Sequence, residues 1–528
     1  MRRALIPTII LLAACAEHPQ DETIDLVCQP DRELPYADGA SYLGIHGDAS
    51  NSDEIACASG SAYQQTWHAL EGLGLPQPNT FSPDGLTTYV TSTNSDPQGC
   101  RVHALDTETG VVQWCRNFPP TISYGSVEVD EEGYLYFTVE DQVVSLNPDG
   151  SDRWATSIGE AGQQELAWGL HFHPEGPIAT VSQSGTVVLL NREAGEILST
   201  LSIPEVYGFV APASLDLDLD LSLLLPNAVN ADIESVWGVP QEGEADASFN
   251  TFLGAGGFVD NTVGISSTGD IFVIGGGPDE DHGALVQIRV DWSDQSPTLT
   301  AGWYTPTNAG SATSPSITKD GRYVTISDGS SSDTFFNPED VDAKVKVMDI
   351  DACDANTDAD PDATVCEVLY VENVERWPLI GAPATLEDGT VIFWELGLDF
   401  AADQSARDVV AMNEGGVIWE ASLPDDMDWT SVITVTENHV IGTGTAVTPS
   451  TETLLNLSLP QTTTNALLIL DRQTGDLVFS APIPDDAAGT VSIGPRGELY
   501  VGMLGIFSIL STEKRPTLGL IRFSPTAE

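Results

Sequence analysis

The amino-acid sequence predicts an all-β protein, a single β-propeller of four-stranded antiparallel blades, and three observations support this prediction. Short alternating segments that are typical of strands recur along most of the chain, separated by polar turns with glycine. Two kinds of hairpin follow one another in a unit that repeats about every 40 to 60 residues. Between these units the sequence lacks helical periodicity. A repeated four-stranded unit of this kind is typical of propeller blades.

The clearest hairpin lies at residues 100–115, which read CRVHALDTETGVVQWC. Its two arms alternate as strands do, and Gly110 suits the turn because glycine adopts positive φ without a steric penalty. Residues 466–479, ALLILDRQTGDLVF, repeat the pattern most closely. Shorter versions lie at 143–154, 187–198 and 408–419.

A second type of hairpin precedes these, again with a strand, a polar turn and a strand. Its examples lie at 81–92, 127–139, 171–181, 264–275, 316–327, 384–394, 435–443 and 492–503. Nine hairpin starts can be counted if residues 209–250, which include an alternating strand at 214–225, form a degenerate unit. Propellers typically have about four to eight blades. We therefore predict eight blades and keep nine as the alternative.

One hairpin carries a motif whose spacing is A-x-D-x-x-T-G-x-x-x-W. Its residues are Ala104, Asp106, Thr109, Gly110 and Trp114. The motif resembles the tryptophan-docking motif of the pyrroloquinoline-quinone (PQQ)-like propeller repeat, a family that includes quinoprotein alcohol dehydrogenases and BamB-like lipoproteins. The match is complete here and partial in four other hairpins, and the blade pattern covers residues 60 to 525. The resemblance implies that Trp114 packs between neighbouring blades.

The two ends of the chain are predicted to meet in one blade. The last unit, residues 489–524, lacks an outer strand, which residues 63–69 (YQQTWHA) can supply. Such a closure would cover exposed sheet edges. Insertions at 329–343 and 448–464 are predicted to be loops on one rim, where partners usually bind.

The amino terminus resembles that of a bacterial lipoprotein. Two arginines precede the apolar residues 4–14, which are too few to span a bilayer. The stretch ends on Leu-Ala-Ala-Cys15, which resembles a lipobox and implies lipid attachment to Cys15. Ala16 resembles the signal for outer-membrane sorting. We therefore expect an outer-membrane lipoprotein of the bacterial cell envelope, with the membrane face left open.

Three regions follow from these patterns. Residues 1–14 are predicted to be a lipoprotein signal peptide, residues 15–58 a lipidated tether with an irregular lead-in, and residues 59–528 the propeller. Because no other segment reaches 18 apolar residues, the lipid is expected to be the only membrane anchor.

Six cysteines remain if Cys15 carries lipid, and export permits disulfides. Proximity in sequence favours three pairs, although six cysteines formally allow fifteen pairings. The favoured pairs are Cys28 with Cys57, Cys100 with Cys115, and Cys353 with Cys366. The sequence contains no CxxC motif, so neither a structural zinc site nor a thioredoxin-type dithiol is expected.

The charge balance excludes one class of partner. The chain has 19 basic and 79 acidic residues, a net charge of -60, and only four lysines. Such a surface repels phosphate backbones and anionic lipid headgroups. Nucleic-acid binding is therefore not expected, and the acidity indicates a well-solvated surface.

The acidic segment 349–367, DIDACDANTDADPDATVCE, is the strongest candidate metal site. Hard oxygen ligands recur at every second residue, as they often do in calcium loops. The candidate ligands are Asp354, Asn356, Asp358, Asp360 and Asp362. The segment departs from an EF-hand at Ala359, where glycine is needed, and at Val365, where a bidentate glutamate is needed. A solvated acidic turn is the alternative that we favour.

Other candidate sites are weaker. His171 and His173 lie on one strand face and could bind a transition metal, although ordinary surface or channel histidines are favoured. The glycine-rich residues 274–283 precede no helix, so a loop is expected there rather than a phosphate cradle. Neither a GxSxG elbow nor an HExxH motif occurs. Quinoprotein dehydrogenases carry adjacent cysteines over the cofactor and a calcium-assisted aspartate, and this sequence has no recognisable equivalent.

These observations favour a membrane-anchored scaffold, similar to BamB-like proteins, that binds other envelope proteins through its rim of loops. We expect a monomer without a cofactor, with calcium as the one ligand left open and PQQ not expected. The alternatives are a calcium- or glycan-binding surface module and a PQQ-dependent dehydrogenase. No catalytic residue is predicted.

Overall fold

A computed structural model forms a ring of eight antiparallel sheets, which confirms the predicted eight-bladed propeller. The structure describes residues 28, 36, 42–94, 96–118, 125–159, 166–211, 257–259, 261–293, 296–308, 313–328, 344–359, 365–366, 368–373, 383–394, 409–421, 423, 427–454, 457–487, 489–505, 508 and 516–526. The predicted signal peptide, Cys15, and the segments 214–225 and 329–343 lie outside these residues. Most of the chain's regular structure is strand, with two short helices among the described residues.

The strands follow one another around the ring in chain order. Strand β1 (Tyr63–Ala69) precedes the first blade. Blade 1 contains β2 (Thr80–Phe81), β3 (Thr87–Thr91), β4 (Val102–Asp106) and β5 (Val112–Arg116). Blade 2 contains β6 (Glu128–Val129), β7 (Leu135–Val139), β8 (Gln142–Leu146) and β9 (Asp152–Ser157). Blade 3 contains β10 (Ala167–Phe172), β11 (Ile178–Ser182), β12 (Thr186–Leu190) and β13 (Ile197–Ser202), and helix α1 (Ile203–Tyr207) follows it. Blade 4 contains β14 (Gly264–Ile265), β15 (Ile271–Gly276), β16 (Gly283–Asp291) and β17 (Thr298–Thr307).

The second half of the ring repeats this order. Blade 5 contains β18 (Ser316–Ile317), β19 (Tyr323–Asp328), β20 (Lys344–Asp349) and β21 (Tyr370–Asn373), with helix α2 (Ile350–Ala359) before its last strand. Blade 6 contains β22 (Ala384–Thr385), β23 (Val391–Trp394), β24 (Val409–Asn413) and β25 (Gly416–Glu420). Blade 7 contains β26 (Met427–Trp429), β27 (Thr434–Val435), β28 (His439–Leu454), β29 (Leu457–Asp471) and β30 (Leu477–Ile483). Blade 8 contains β31 (Ser492–Ile493), β32 (Leu499–Met503) and β33 (Gly519–Pro525), and β1 completes it.

The ends of the chain close the ring in blade 8, as predicted. Strand β1 pairs antiparallel with β33, from Tyr63 opposite Pro525 to Ala69 opposite Leu520. The outer strand of the last blade therefore comes from the beginning of the propeller. This pairing covers the edge that β33 would otherwise expose.

The hydrophobic core lies between neighbouring blades. Second strands such as β7 and β15 are buried along their whole length, whereas the outer strand β30 alternates between exposed and covered residues. Aromatic rings join adjacent blades: Phe81 lies 5.2 Å from Tyr500, and Tyr136 lies 5.2 Å from Phe172, centroid to centroid. Each blade is thus held mainly by apolar contact with its neighbours.

Tryptophans of outer strands dock onto the turn of the next blade. Trp114 in blade 1 donates its indole N–H to the carbonyl of Pro148 in blade 2, at 3.2 Å. A Cβ added to Gly150, in the same turn, would lie 2.8 Å from the Trp114 ring, so only glycine allows this approach. The same pairing of indole and turn glycine occurs for Trp67 with Gly110, Trp154 with Gly195, and Trp419 with Gly475. The docking motif therefore links blades in series.

The described residues form three disulfides, and each joins cysteines that are consecutive in the sequence. They are Cys28–Cys57, Cys100–Cys115 and Cys353–Cys366. The Cys100–Cys115 bond joins two ends of the hairpin formed by β4 and β5. None of the described helices is long and apolar enough to cross a membrane.

Two segments differ from their predicted form. The prediction of a rim loop at 448–464 is wrong, because strands β28 and β29 continue as a hairpin until Leu454 pairs with Leu457. Their threonine-rich sequence favours strands because β-branched residues suit an extended backbone. Residues 350–359, which the sequence places in an acidic turn, form helix α2. The sequence shows no apolar helical face there because this helix is short and mostly polar.

Candidate functional site

The innermost strands of the blades surround the axis of the ring. Their equivalent positions, just before the first turn of each blade, carry small or polar residues. These are Thr80, Glu128, His171, Gly264, Ser316, Ala384, Thr434 and Ser492, and all are buried. Glu128 and His171 are the two ionisable members. Because an inner strand has a neighbouring strand on one side only, its other edge leaves backbone N–H groups that need acceptors.

Residues 42–57, which we call the hub segment, supply those acceptors. This segment falls within the predicted irregular lead-in. Its backbone carbonyls accept hydrogen bonds from the inner strands of blades 4, 5, 6 and 7 in succession. These bonds run from Ile265 to Ala49 at 2.7 Å, Ile317 to Ser50 at 2.8 Å, Thr385 to Ser52 at 3.1 Å, and Val435 to Asp53 at 2.8 Å. One short segment thus connects half of the ring from the inside.

The side chain of Asn51 connects the hub segment to blades 3, 4 and 5. It is fully buried, and its amide nitrogen donates to the carbonyls of Val263 at 2.9 Å and Pro315 at 3.0 Å. Its amide oxygen lies 2.9 Å from the Nε2 atom of His171. The Nδ1 atom of His171 lies 2.7 Å from Glu128 Oε1. The chain Glu128–His171–Asn51 therefore joins blades 2 and 3 to blades 4 and 5 through the hub segment.

The Glu128–His171 pair is enclosed tightly. Both side chains are completely buried. Burial raises the pKa of Glu128, and the attraction of His171 opposes this rise. A Cβ added to Gly44 of the hub segment would lie 2.6 Å from Glu128 Oε1, so glycine is required at this close approach. Tyr36 completes the enclosure, since its hydroxyl accepts a hydrogen bond from the Phe172 N–H at 3.2 Å.

A second buried polar cluster lies within the hub segment itself. His46 Nδ1 lies 3.1 Å from Asp53 Oδ2. Asp48 accepts hydrogen bonds from the hydroxyls of Ser50 at 2.6 Å and Ser52 at 3.1 Å. Burial raises the pKa of Asp53 from 3.8 to about 6, and the His46 ring partly offsets this.

The protonation of Asp53 predicts a dependence of stability on pH. The folded chain keeps this proton up to about pH 6, whereas the unfolded chain loses it near pH 3.8. The stability that Asp53 contributes is therefore complete below about pH 4 and lost as the pH rises through 6, a fall of at most about 3 kcal/mol. Asp53→Asn should flatten this part of the curve when urea unfolding is measured between pH 4 and pH 7. Parallel curves for the two proteins would contradict the assignment.

The carboxyl-terminal end of the hub segment is fastened to the ring. The Cys28–Cys57 disulfide closes the loop that contains the segment. The Cys28 N–H donates to Pro495 O at 3.3 Å, and the Glu437 N–H donates to Cys57 O at 3.0 Å. Glu54 forms an ion pair of 2.9 Å with Arg472. The segment is therefore anchored to blades 7 and 8 at its exit.

The structure places one candidate calcium ligand, Asp354, away from the hub segment. Asp354 lies on helix α2, and its Oδ1 atom accepts hydrogen bonds from Gln287, Arg289 and Trp303 at 3.0 to 3.1 Å. Trp303 belongs to blade 4. Its indole N–H donates to the Asp354 carboxylate, whereas the indole N–H of the docked Trp114 donates to a turn carbonyl. The side chains of Asn356 and Asp358, and residues Asp360 and Asp362, lie outside the described part of the chain. Calcium binding stays a prediction.

The two candidate histidines are not surface residues. His171 belongs to the chain of contacts that runs from Glu128 to Asn51, and His173 is buried with its Nε2 atom 2.8 Å from the Gly269 carbonyl. The two side chains therefore have separate partners. Residues 274–283 span the end of β15 and a turn, so no helix N-terminus follows them.

Sequence reasoning missed Glu128, Asn51, His46 and Asp53. Aligning the first turn of each blade would have distinguished Glu128 and His171, because the six equivalent residues are small or uncharged. The polar run HGDASNSDE at 46–54, between two cysteines, was the available sign of the hub segment.

The hub segment contacts the inner edge of the ring with buried, hydrogen-bonded groups. A planar quinone such as PQQ needs open space between the blades and the axis, and the hub segment puts protein atoms against that edge.

The fold is shared with solved structures. No protein-family model and no curated protein matches the chain. Quinohemoprotein alcohol dehydrogenase from Comamonas testosteroni is similar over 94% of this chain and 82% of its own, with a TM-score of 0.55 and 10% identity. A europium-containing methanol dehydrogenase is similar over 91% of this chain and 97% of its own, with a TM-score of 0.54 and 10% identity. BamB from Moraxella catarrhalis covers 88% of this chain, but its TM-score of 0.41 supports no inference. At these identities the likeness concerns the fold alone.

Proposed function

Starting from a propeller with the fold of quinoprotein dehydrogenases, we propose that this chain is a lipid-anchored scaffold of the bacterial cell envelope. It binds other envelope proteins through its loop rims, as BamB-like proteins do, and performs no quinone chemistry. The observation that carries the proposal is the hub segment, which covers the inner edge of blades 4 to 7 with the chain's own residues.

The hub segment argues against a cofactor in the channel. A ligand there would have to displace four backbone hydrogen bonds, the contacts of Asn51 and a segment closed by a disulfide. Breaking buried polar contacts without replacing them costs about 1 to 3 kcal/mol each. The absence of adjacent cysteines in the sequence agrees with this argument.

A rigid ring suits a scaffold. Docked tryptophans, the closure of blade 8 and the hub segment hold the blades in fixed positions, so loops at the two rims keep constant spacing. Fixed loops bind partners at a lower entropic cost than mobile ones. Residues 16–27, the first part of the predicted tether and lead-in at 15–58, span at most about 40 Å when extended, so they would hold the ring near the membrane.

The first test concerns the anchor and the partner together. A photo-crosslinking residue is placed at Glu280, in the exposed turn between β15 and β16, or at Glu132, in the exposed turn after β6. We expect defined protein adducts at one rim in cells that make the lipidated chain. We also expect the adducts to disappear in Cys15→Ser, which should lose both labelled palmitate and membrane association. No adduct at either position would contradict the scaffold, and membrane association of Cys15→Ser would contradict the anchor.

The second test concerns catalysis. The purified chain is incubated with PQQ and calcium and assayed for dye-linked oxidation of primary alcohols. We expect no turnover above that of heat-denatured protein and no PQQ absorbance after desalting. Measurable turnover would overturn the proposal and favour the dehydrogenase.

A further inference from the structure

A second polar site lies in blade 1, far in sequence from the hub segment. His103 on β4 stands opposite Cys115 on β5 in the strand register. Directly opposed residues of an antiparallel pair project from the same face of the sheet. Cys115 is bonded to Cys100, which ends the loop that begins at Asp96. Four groups that commonly bind transition metals are thus gathered at one end of one hairpin.

The surroundings of His103 are unusual. Its side chain is completely buried, yet neither ring nitrogen has a hydrogen-bond partner among the described residues. Leaving a buried polar group unpaired is unfavourable. Asp96 Oδ2 lies 3.6 Å from the Nε2 atom of His103.

Asp96 is held so that one oxygen stays available. Its Oδ1 atom accepts hydrogen bonds from the N–H groups of Gln98 and Cys100, both at 2.8 Å. Its Oδ2 atom faces His103. An oxygen of Asp96 and the sulfur atoms of Cys100 and Cys115 lie within 4.8 Å of one another. The Asp96 carboxylate is therefore near the sulfur atoms and near the imidazole, and the His103 nitrogens lie outside the group of three.

We propose that Asp96, Cys100, His103 and Cys115 form a zinc-class metal site when the Cys100–Cys115 disulfide is reduced. Two thiolates, an imidazole nitrogen and a carboxylate oxygen are a ligand set that zinc accepts in tetrahedral geometry. The four residues are spaced D-x3-C-x2-H-x11-C in the sequence. The first two lie in the loop before β4, the histidine lies on β4, and the last cysteine lies on the facing strand β5. The oxidised site is a disulfide and the reduced site binds metal.

The disulfide is converted into the metal site in two steps, reduction and metal binding. A dithiol reductant transfers two electrons and two protons to the disulfide, which gives two cysteine thiols and leaves the reductant as a disulfide. Binding of Zn²⁺ then releases the two thiol protons as the sulfur atoms become thiolates. The hairpin does not need the disulfide to stay closed, because β4 and β5 are paired from Val102–Arg116 to Leu105–Val112.

The other two disulfides serve as internal comparisons. Within the described residues, only the Cys100–Cys115 pair has a third candidate ligand within 4.8 Å. Cys28–Cys57 and Cys353–Cys366 are therefore expected to yield thiols without a metal site.

The test uses Co²⁺ as a spectroscopic substitute for zinc. The full chain is reduced with a phosphine, desalted without oxygen and titrated with Co²⁺. We expect a thiolate-to-cobalt charge-transfer band, the visible bands of tetrahedral cobalt, and their loss when Zn²⁺ is added. The oxidised chain and the double variant Cys100→Ser/Cys115→Ser, reduced in the same way, should show neither band.

Two further variants test the remaining ligands. His103→Gln and Asp96→Asn keep the thiols and should each weaken cobalt binding about 10-fold or more. The proposal is overturned if the reduced chain gives no thiolate band, if the double-serine variant keeps it, or if both ligand variants bind as the parent does. Unfolding on reduction alone, seen by circular dichroism before metal is added, would also overturn it.

Discussion

Replacing Asn51 with leucine is expected to lower the free energy of unfolding by about 3 to 5 kcal/mol. Leucine has nearly the same size but leaves the carbonyls of Val263 and Pro315 and the Nε2 atom of His171 without their partner. Each of these groups is enclosed by the ring and cannot turn to water. The loss should therefore exceed that of an ordinary hydrogen bond.

The loss of stability is measured from the midpoint of urea unfolding, with an unchanged dependence of the unfolding free energy on urea concentration. Asn413→Leu is the control. Asn413 is exposed, and its side chain accepts a single hydrogen bond from the Gly415 N–H. This control should cost no more than about 1 kcal/mol. Equal losses in the two variants would show that the hub segment does not hold the blades together.

Trp67→Ala is expected to destabilise the ring by about 3 to 4 kcal/mol and to loosen its closure. Trp67 lies on β1, donates its indole N–H to Thr107 O in blade 1 at 3.1 Å, and packs edge-on at 5.8 Å against Tyr500 of β32. Its removal weakens the contact of β1 with both the first and the last blade. We expect proteases to cut first near β1 in this variant.

Trp114→Ala is the matched control for this closure. Trp114 has a nearly identical docking contact, with its indole 3.2 Å from Pro148 O and its ring over Gly150. Trp114 lies on β5, however, which pairs with β4, the preceding strand in the sequence, whereas β1 pairs with β33 from the other end of the chain. The control should lose stability without early cleavage near β1. If both variants are cleaved there equally, the closure is not the weak point of the ring.

Much of the fold is predictable because its determinants are local. Glycine at positive φ in the turns, as at Gly110 and Gly475, and alternating strands on either side define each hairpin within about 15 residues. The partner of β33 is also predictable, since the last unit lacks one strand. The docking motif is recognisable because its tryptophan and turn glycine recur at a constant spacing.

The candidate site is not predictable in the same way. Asn51 contacts Val263 and Pro315, which lie 212 and 264 residues further along the chain. No periodicity relates residues at such separations. Carboxylates at alternate positions suggest a calcium loop around Asp354, whereas helix α2 turns this residue toward Trp303 and Arg289. The prediction of a rim loop at 448–464 fails for a local reason, since its β-branched residues also favour strands.

The sequence by itself determined the class of fold, the closure of the ring and the acidic character of the surface, and the structure decided between eight and nine blades. The first three depend on turn chemistry, alternation and composition, which act between near neighbours. Tertiary structure alone decided that residues 42–57 enter the ring, that Glu128 meets His171, and that a buried imidazole stands beside the Cys100–Cys115 bond. Such contacts arise when ring closure brings distant segments to a common axis, where buried N–H, carbonyl and carboxylate groups must find partners in whatever segment reaches them.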